Sequence, residues 1–302
     1  CFRGPPRICR NPQMPPRRGR SPAAASLAEA VVHRTAQVGS ITVSLVEMNI
    51  ALATTDAVIN AANSLSFMPM DGGVSGALRN ACKPDVVVAA EKLWWDDDGR
   101  EHRDKKLPTT QAGVQPAAGG LLARGVQHVV HAVGPIWSDY PVKDSTFAVV
   151  LPRIRCTVRR SLSAAERVGA RSVALPAISG GIFTHWRPDS DIKEREQRAA
   201  RLAVVKAACE WSSLRLGSSL ESIQLVDSGG RSVLVFAEAF DEVVPRYLRL
   251  SEASAPEPDG GPEGGEASAP EPDRGPEGGE AQGDPSEEGL PAQRGPAEQP
   301  EA

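Results

Sequence analysis

Aromatic residues are scarce in this sequence, since only 4% of its 302 residues are Phe, Trp or Tyr. Long apolar runs are missing as well, because no segment approaches the roughly 20 apolar residues that a helix needs to cross a bilayer. We therefore expect no membrane-spanning segment. The sequence begins with Cys1 and not with Met, and for that reason we expect it to be a fragment of a longer protein.

Cysteines are few and widely separated, and none of the five forms a Cys-x-x-Cys pair. This spacing matches no common zinc-ligand pattern and gives no disulfide framework. We expect Cys82, Cys156 and Cys209 to be small buried apolar residues. A chain without disulfides suits a reducing compartment, which predicts the nucleus or the cytoplasm and not secretion.

Charge is distributed unevenly along the chain, although the net charge is only −4. Residues 251–302 contain fourteen acidic and two basic residues, a net charge of −12, so residues 1–250 carry +8. Residues 1–38 contain seven Arg and one Glu, which leaves +2 for residues 39–250. A nearly neutral central region followed by an acidic tail gives no indication of direct nucleic-acid recognition.

Both ends of the chain have compositions that do not support a folded core. Residues 1–38 are rich in Pro and Arg and contain too few apolar side chains to offset the entropy of ordering. Residues 252–265 and 266–279 form a direct repeat, rich in Pro, Gly and Glu, that differs at one position. Such low-complexity sequence is typical of extended chains. We expect residues 1–38 and 251–302 to be disordered.

Residues 39–250 alternate between short apolar runs and longer helical stripes, the pattern of a single α/β domain. Strands are predicted at residues 41–47, 56–61, 110–115, 126–133, 172–178 and 222–226. The third and fourth of these flank Gly119-Gly120 and predict an antiparallel hairpin. Helices are predicted over residues 147–165, 200–211 and 235–243, and Pro152 is expected to begin or kink the first. The sequence therefore predicts a mixed sheet covered by helices on both faces.

Two glycine-rich segments each follow a predicted strand. The first glycine loop (71–76) reads DGGVSG, and the second glycine loop (179–183) reads SGGIF. Glycine lets the backbone approach a ligand, and the free N–H groups of a turn or helix start attract anions. Neither loop is a Walker A or a G-x-G-x-x-G sequence. Two such loops from different strands suit a diphosphate that is held from both sides.

Four segments together resemble the macrodomain family. They occur in the family's order and read VINAAN (58–63), GGVSGAL (72–78), HVVHAVGPIW (128–137) and PAISGGIF (176–183). The resemblance implies a three-layer α/β/α fold with a mixed central sheet and a cleft that binds ADP-ribose. The C-terminal segments 223–227 and 235–240 look most like those of the macrodomains in tandem-macrodomain poly(ADP-ribose) polymerases.

The resemblance also implies a role for each matching residue. The two glycine loops are expected to hold the diphosphate, Asn63 to hydrogen-bond the terminal ribose, and Phe183 to pack against the ribose end. The adenine end is expected at Asn49. The complete set of residues expected in the binding site is Asn49, Ile50, Asn63, Gly72, Gly73, Val74, Ser179, Gly180, Gly181, Ile182 and Phe183.

This sequence departs from the family's pattern at four of these or neighbouring positions. Asn49 stands where the family usually has an acidic residue, and its amide oxygen accepts the adenine amino proton without charge assistance. Asp71 stands where many members have a third glycine. Met70 and Ser75 stand where members that hydrolyse often have His or Asp. These departures bear on affinity and on catalysis.

The function that these residues favour is a module that binds free ADP-ribose or mono-ADP-ribosylated protein, with no cofactor. One alternative is an ADP-ribosyl hydrolase, which requires a positioned water and a base or the substrate phosphate. Another is a degenerate domain that makes protein contacts only. A transferase activity would belong to the rest of a parent protein, because the one predicted domain accounts for all of residues 39–250.

Asp71 allows a test of the first glycine loop. Two unit charges roughly 4 Å apart interact by about 1 kcal/mol in water and about 4 kcal/mol at an effective dielectric near 20. Asp71→Gly is therefore expected to tighten ADP-ribose binding by about tenfold at low salt, and the gain should shrink as ionic strength rises. Calorimetric titration of both proteins at two ionic strengths measures this. Equal affinities at low salt would show that Asp71 faces away from the ligand.

Overall fold

The computed structural model describes residues 30–62, 72–83, 93–96, 98–103, 106–185 and 190–253. In this part of the chain the strands are β1 (Val31–Val38), β2 (Ile41–Glu47), β3 (Ala57–Ala62), β4 (Leu93–Trp95), β5 (Glu101–Arg103), β6 (Ala112–Pro116), β7 (His128–Val133), β8 (Ser172–Pro176) and β9 (Ser222–Asp227). They form one sheet in the order β1-β2-β9-β8-β3-β7-β6-β4-β5.

The centre of the sheet is parallel and its margins are antiparallel. Strands β2, β9, β8, β3 and β7 run in the same direction. Strand β1 pairs antiparallel with β2 at one margin, and β6, β4 and β5 continue antiparallel from β7 at the other. The carboxyl ends of five adjacent strands therefore meet at one edge of the sheet, where ligands of such folds usually bind.

Helices cover both faces of this sheet. They are α1 (Gly73–Cys82), α2 (Gly119–Leu122), α3 (Ser145–Arg167), α4 (Ser190–Leu214) and α5 (Arg231–Ala253), with short 3₁₀ helices at Ile50–Leu52 and Trp137–Asp139. Helices α1 and α2 pack on one another, and α1 packs on the first 3₁₀ helix, whereas α4 packs between α3 and α5.

Alternating side chains of the central strands supply two separate cores. In β3, Val58 belongs to the core under α1 and α2, and its neighbour Ile59 belongs to the core under α3, α4 and α5. In β8, Ala174 and Leu175 divide in the same way. Successive side chains of a strand point to opposite faces, so this division confirms the predicted three-layer arrangement.

The predicted strands correspond closely to observed ones. Residues 41–47 form β2, and the strands predicted at 56–61 and 222–226 are shifted or extended by one residue. Strands β6 and β7 pair antiparallel as expected. Their connection differs from a tight turn, because Gly119 and Gly120 begin the four-residue helix α2.

The expected start of the folded region is wrong, because residues 31–38 form strand β1 and are not disordered. This strand lies at the margin of the sheet, and Val31 and Val32 are 50% and 61% exposed. Its hydrogen bonds to β2 stabilise a segment whose composition alone predicts no core. Helix α5 likewise continues past residue 250 to Ala253. The disorder predicted for residues 1–29 and 254–302 lies outside the described residues.

Pro152 was predicted to begin or kink α3. It lies inside the helix, which begins seven residues earlier at Ser145, so the first of these alternatives is wrong. Proline lacks the N–H that would bond the carbonyl four residues back. The helix nevertheless continues to Arg167, and the fully buried side chains of Val150 and Ile154 hold it on both sides of Pro152.

Cys82 and Cys209 are buried as expected, but Cys156 is partly exposed on α3. Burial raises the pKa of the Cys209 thiol to about 12, so it stays protonated at neutral pH. None of the helices in the described part of the chain combines the length and apolar composition that a bilayer span requires.

The close packing of α2 on α1 can be tested at Gly119. Its φ is +53°, and an added Cβ would lie 2.5 Å from the carbonyl oxygen of Cys82. Gly125 is a matched control, since its φ is +94° but an added Cβ meets no heavy atom within 4 Å. Chemical denaturation should show that Gly119→Ala lowers the free energy of unfolding by about 3 kcal/mol and Gly125→Ala by about 1 kcal/mol. Equal losses would contradict this packing.

Candidate functional site

A cleft of about 770 Å³ opens where the parallel strands end. Its lining includes the final residues of β2, β8 and β9, which are Glu47, Pro176 and Asp227. Ten of the eleven residues predicted from the sequence line it, namely Asn49, Ile50, Gly72, Gly73, Val74, Ser179, Gly180, Gly181, Ile182 and Phe183. The eleventh, Asn63, lies outside the described residues. The fold therefore gathers these ten residues around one cavity, and their binding role stays a prediction.

The first glycine loop enters α1 without a capping side chain. Gly72 is the N-cap in an extended conformation, and Gly73 follows with φ +61°, a left-handed angle that favours glycine. The first bond of the helix runs from the N–H of Gly76 to the carbonyl of Gly72 at 3.1 Å. The N–H groups of Gly73 and Val74 therefore have no carbonyl within the helix to bond, and the helix dipole adds positive potential at this point.

The second glycine loop presents a further row of N–H groups. Ser179 turns the chain with φ +57°, and the N–H of Gly180 bonds back to the carbonyl of Ala177 at 3.0 Å. Within the described residues, the next three N–H groups, of residues 181–183, donate to no protein acceptor. The loop is thus able to offer several donors to one anionic ligand.

Trp137 holds the second glycine loop at both ends. Its indole Nε1 donates to the carbonyl of Ser179 at 3.0 Å, and its backbone N–H donates to the carbonyl of Phe183 at 2.8 Å. The Ser179 hydroxyl donates to the carbonyl of Pro135 at 2.7 Å. Because Trp137 is fully buried, these bonds fix the loop before any ligand arrives.

Just beyond the second glycine loop, the chain is anchored by a buried pair that no motif indicates. His185 and Glu196 are 7% and 2% exposed, and Nδ1 of His185 lies 2.5 Å from a Glu196 carboxylate oxygen. The other oxygen of that carboxylate accepts the backbone N–H of His185 at 2.8 Å. The start of α4 therefore fastens the exit of the loop.

Asn49 also lines the cleft, and it caps the 3₁₀ helix Ile50–Leu52. Its Oδ1 accepts the backbone N–H of Ala51 at 3.0 Å. An amide oxygen has two lone pairs, so one remains for a ligand. Ile50 is 4% exposed and supplies an apolar wall beside it.

The charged residues that line the described part of the cleft were not predicted from the sequence to lie there. They are Glu47, Asp227 and Arg201. Glu47 bonds Nε2 of His33 at 2.8 Å, and Arg201 bonds Asp227 at 2.9 Å. In the sequence, this buried ion pair is indicated only by one arginine within the otherwise apolar stripe of α4. The partners of that arginine are distant in sequence and meet it only in the folded chain.

The chemistry that this cleft offers is anion recognition by backbone donors. In the segments that the structure describes, no three His, Cys, Asp or Glu side chains lie close enough to hold a metal ion. The cleft combines two sets of N–H groups with apolar walls and a pair of opposite charges. Such a site suits a ligand that carries phosphates between less polar ends.

Comparison with known proteins identifies the family. A family model described as Macro domain matches residues 59–189. A macro domain-containing protein from Streptomyces coelicolor is 35% identical over 172 residues, which cover 57% of this chain and 86% of that protein. An ADP-ribose glycohydrolase from Archaeoglobus fulgidus is 33% identical over 155 residues, which cover 49% of this chain and 72% of that protein. The chain belongs to the macrodomain family.

Similarity in fold agrees with this assignment. A solved Oceanobacillus iheyensis macrodomain with ADP matches with a TM-score of 0.52, covering 72% of this chain and 98% of that one at 19% identity.

The human protein mono-ADP-ribosyltransferase PARP14 is 30% identical over 201 residues, which cover 66% of this chain but only 10% of that protein. Membership of the tandem-macrodomain polymerase group stays a prediction, because the similar proteins also include bacterial and archaeal ones.

Proposed function

We propose that this protein is a module that binds ADP-ribose, either free or attached singly to a protein. The observation that supports this most strongly is that two sets of backbone N–H groups, one in each glycine loop, line the same cleft. A diphosphate carries negative charge and several acceptor oxygens, so it satisfies donors from both loops at once. A relative named an ADP-ribose glycohydrolase and a fold neighbour solved with ADP support the same ligand class.

The ligand lies in the cleft with its adenine towards Asn49 and Ile50 and its terminal ribose towards Phe183 and Asn63. The second lone pair of Asn49 Oδ1 accepts the adenine amino proton, since the first is used by the N–H of Ala51. This bond is neutral and therefore weaker than one to a carboxylate. The diphosphate contributes most of the binding free energy in this arrangement.

The setting of this activity follows from composition. Binding needs no cofactor, and the natural partners are ADP-ribose and mono-ADP-ribosylated proteins of the nucleus or cytoplasm. The sparse cysteines support a reducing compartment. The nearly neutral charge of residues 39–250 favours a ligand other than nucleic acid. The composition gives no support to membrane association. We further propose that the module is part of a larger polymerase-like protein, where any transferase activity resides.

Hydrolysis of the bond between ADP-ribose and protein is a second candidate, because a relative is named a glycohydrolase. Two observations weigh against it. Ser75 has no carboxylate to act as a base. The described carboxylates of the cleft are both engaged by other side chains, since Glu47 bonds His33 at 2.8 Å and Asp227 bonds Arg201 at 2.9 Å.

Gly181 provides the most direct test of diphosphate binding. An added Cβ there meets no heavy atom within 4 Å, so a side chain fits the fold and enters open space. Gly181→Glu should weaken ADP-ribose binding at least about 30-fold, because the new charge lies beside the phosphates. Calorimetric titration measures this effect, and thermal unfolding verifies that the variant is folded.

Two control variants separate charge from position in this test. Gly181→Ala adds bulk without charge and should lose much less affinity. Leu216→Glu adds the same charge at a side chain that is 91% exposed and outside the cleft, and it should bind as the original protein does. Unchanged affinity in folded Gly181→Glu would show that the second glycine loop does not hold the diphosphate.

Catalysis is tested with a protein substrate that carries single ADP-ribose groups. We expect the modification to persist on incubation with this protein, because Ser75 cannot act as a carboxylate base. The measurement is release of ADP-ribose over time, compared with buffer. Release well above the buffer rate that is lost in Asn63→Ala would establish the hydrolase instead.

A further inference from the structure

Arg201 is a buried cation directly behind the second glycine loop. It lies on the apolar face of α4, and only 5% of its surface is exposed. Its Nη1 donates to the carbonyl of Gly180 at 3.3 Å and to that of Gln197 at 3.1 Å, and its Nη2 donates to Oδ2 of Asp227 at 2.9 Å. One guanidinium therefore joins α4, the second glycine loop and the end of β9.

Asp227 is held as firmly as its partner. Its other oxygen, Oδ1, accepts the N–H of Ser228 at 2.8 Å and the hydroxyl of Ser232 at 2.6 Å. The Asp227 side chain is 12% exposed, and both members of the pair line the cleft. A pair that is this buried and held by this many hydrogen bonds has little freedom to move away when a ligand binds.

The bond to Gly180 determines how the loop presents its donors. In a trans peptide the C=O and the following N–H point in opposite directions. Arg201 binds the carbonyl of Gly180, so the N–H of Gly181 points away from Arg201. That N–H donates to no acceptor within the described residues and belongs to the lining of the cleft. Arg201 thus orients the peptide whose N–H is available to the ligand.

The charges of the pair act on the same site. With both partners present, the pair is neutral and contributes only a local field. If Asp227 loses its charge, an unbalanced cation remains beside the cleft, and if Arg201 loses its charge, an unbalanced carboxylate remains. An uncompensated buried charge is destabilising in either case, but the two cases have opposite effects on a diphosphate.

We propose that Arg201 is a positioning residue for the second glycine loop and that its charge balance with Asp227 sets the affinity of the cleft for the ligand's diphosphate. This inference rests on the proposed function. A purely structural pair would behave differently, because loss of either partner would then loosen the loop and weaken binding. The sign of the affinity change on neutralising Asp227 separates the two roles.

The test is calorimetric titration of the full chain and three variants with ADP-ribose, with thermal unfolding measured on each. Asp227→Asn keeps a hydrogen-bonding side chain but leaves the cation unbalanced, and it should bind about three- to tenfold more tightly while unfolding at a lower temperature. Arg201→Met should bind at least about tenfold more weakly. Arg201→Lys keeps the positive charge but loses the forked guanidinium. Its affinity for ADP-ribose should fall by about threefold because the second glycine loop is then misoriented.

The possible outcomes show whether the proposed function fails or only the inference about Arg201 and Asp227. Failure of the original protein to bind ADP-ribose would overturn the proposed function and this inference together. Normal binding by the original protein, with weaker binding by Asp227→Asn, would overturn the inference alone. Should Arg201→Met or Asp227→Asn fail to fold, Arg201→Lys tests the positioning role, since it leaves no charge unpaired: reduced affinity supports that role, and unchanged affinity overturns the inference.

Discussion

Backbone N–H groups that have no carbonyl to bond are the constraint from which this site arises. The five parallel strands end at one edge of the sheet, and the chain leaves that edge through loops whose amides cannot join a ladder. Helix α1 begins there without a capping side chain, and the second glycine loop lies opposite. Unbonded donors need an acceptor, and an anion that reaches both sets provides it. In the function proposed here, the cleft's preference for a diphosphate is thus a property of the main chain.

Side chains act on this site mainly by holding the main chain in place. Trp137 bonds the second glycine loop at its two ends, His185 fastens its exit to Glu196, and Arg201 bonds the carbonyl of Gly180 from behind. None of these contacts requires a ligand. A loop that is ordered in advance loses less entropy when it binds, which favours affinity without any additional contact.

Most of the fold could be predicted from the sequence because its signals are local, and ten of the residues that line the cleft could be predicted from the family resemblance. Central strands are continuous apolar runs, and glycine loops reveal a close approach of the backbone. Strand β1 escaped prediction because a marginal strand is half exposed and depends on its neighbour's hydrogen bonds. The role of Arg201 escaped because Gly180 and Asp227 meet it only through the tertiary fold. Burial of that arginine leaves no pattern in the sequence beyond one charge in an apolar stripe.

The central claim is that backbone amides of two separate loops bind one ligand, and amide chemical shifts measure this directly. In a ¹⁵N–¹H spectrum of the full chain titrated with ADP-ribose, the resonances of Gly73, Val74, Gly181, Ile182 and Phe183 should move together and saturate at one ligand per protein. Movement of only one loop would contradict the claim that both hold the diphosphate. No movement in either loop at millimolar ADP-ribose would contradict the account as a whole.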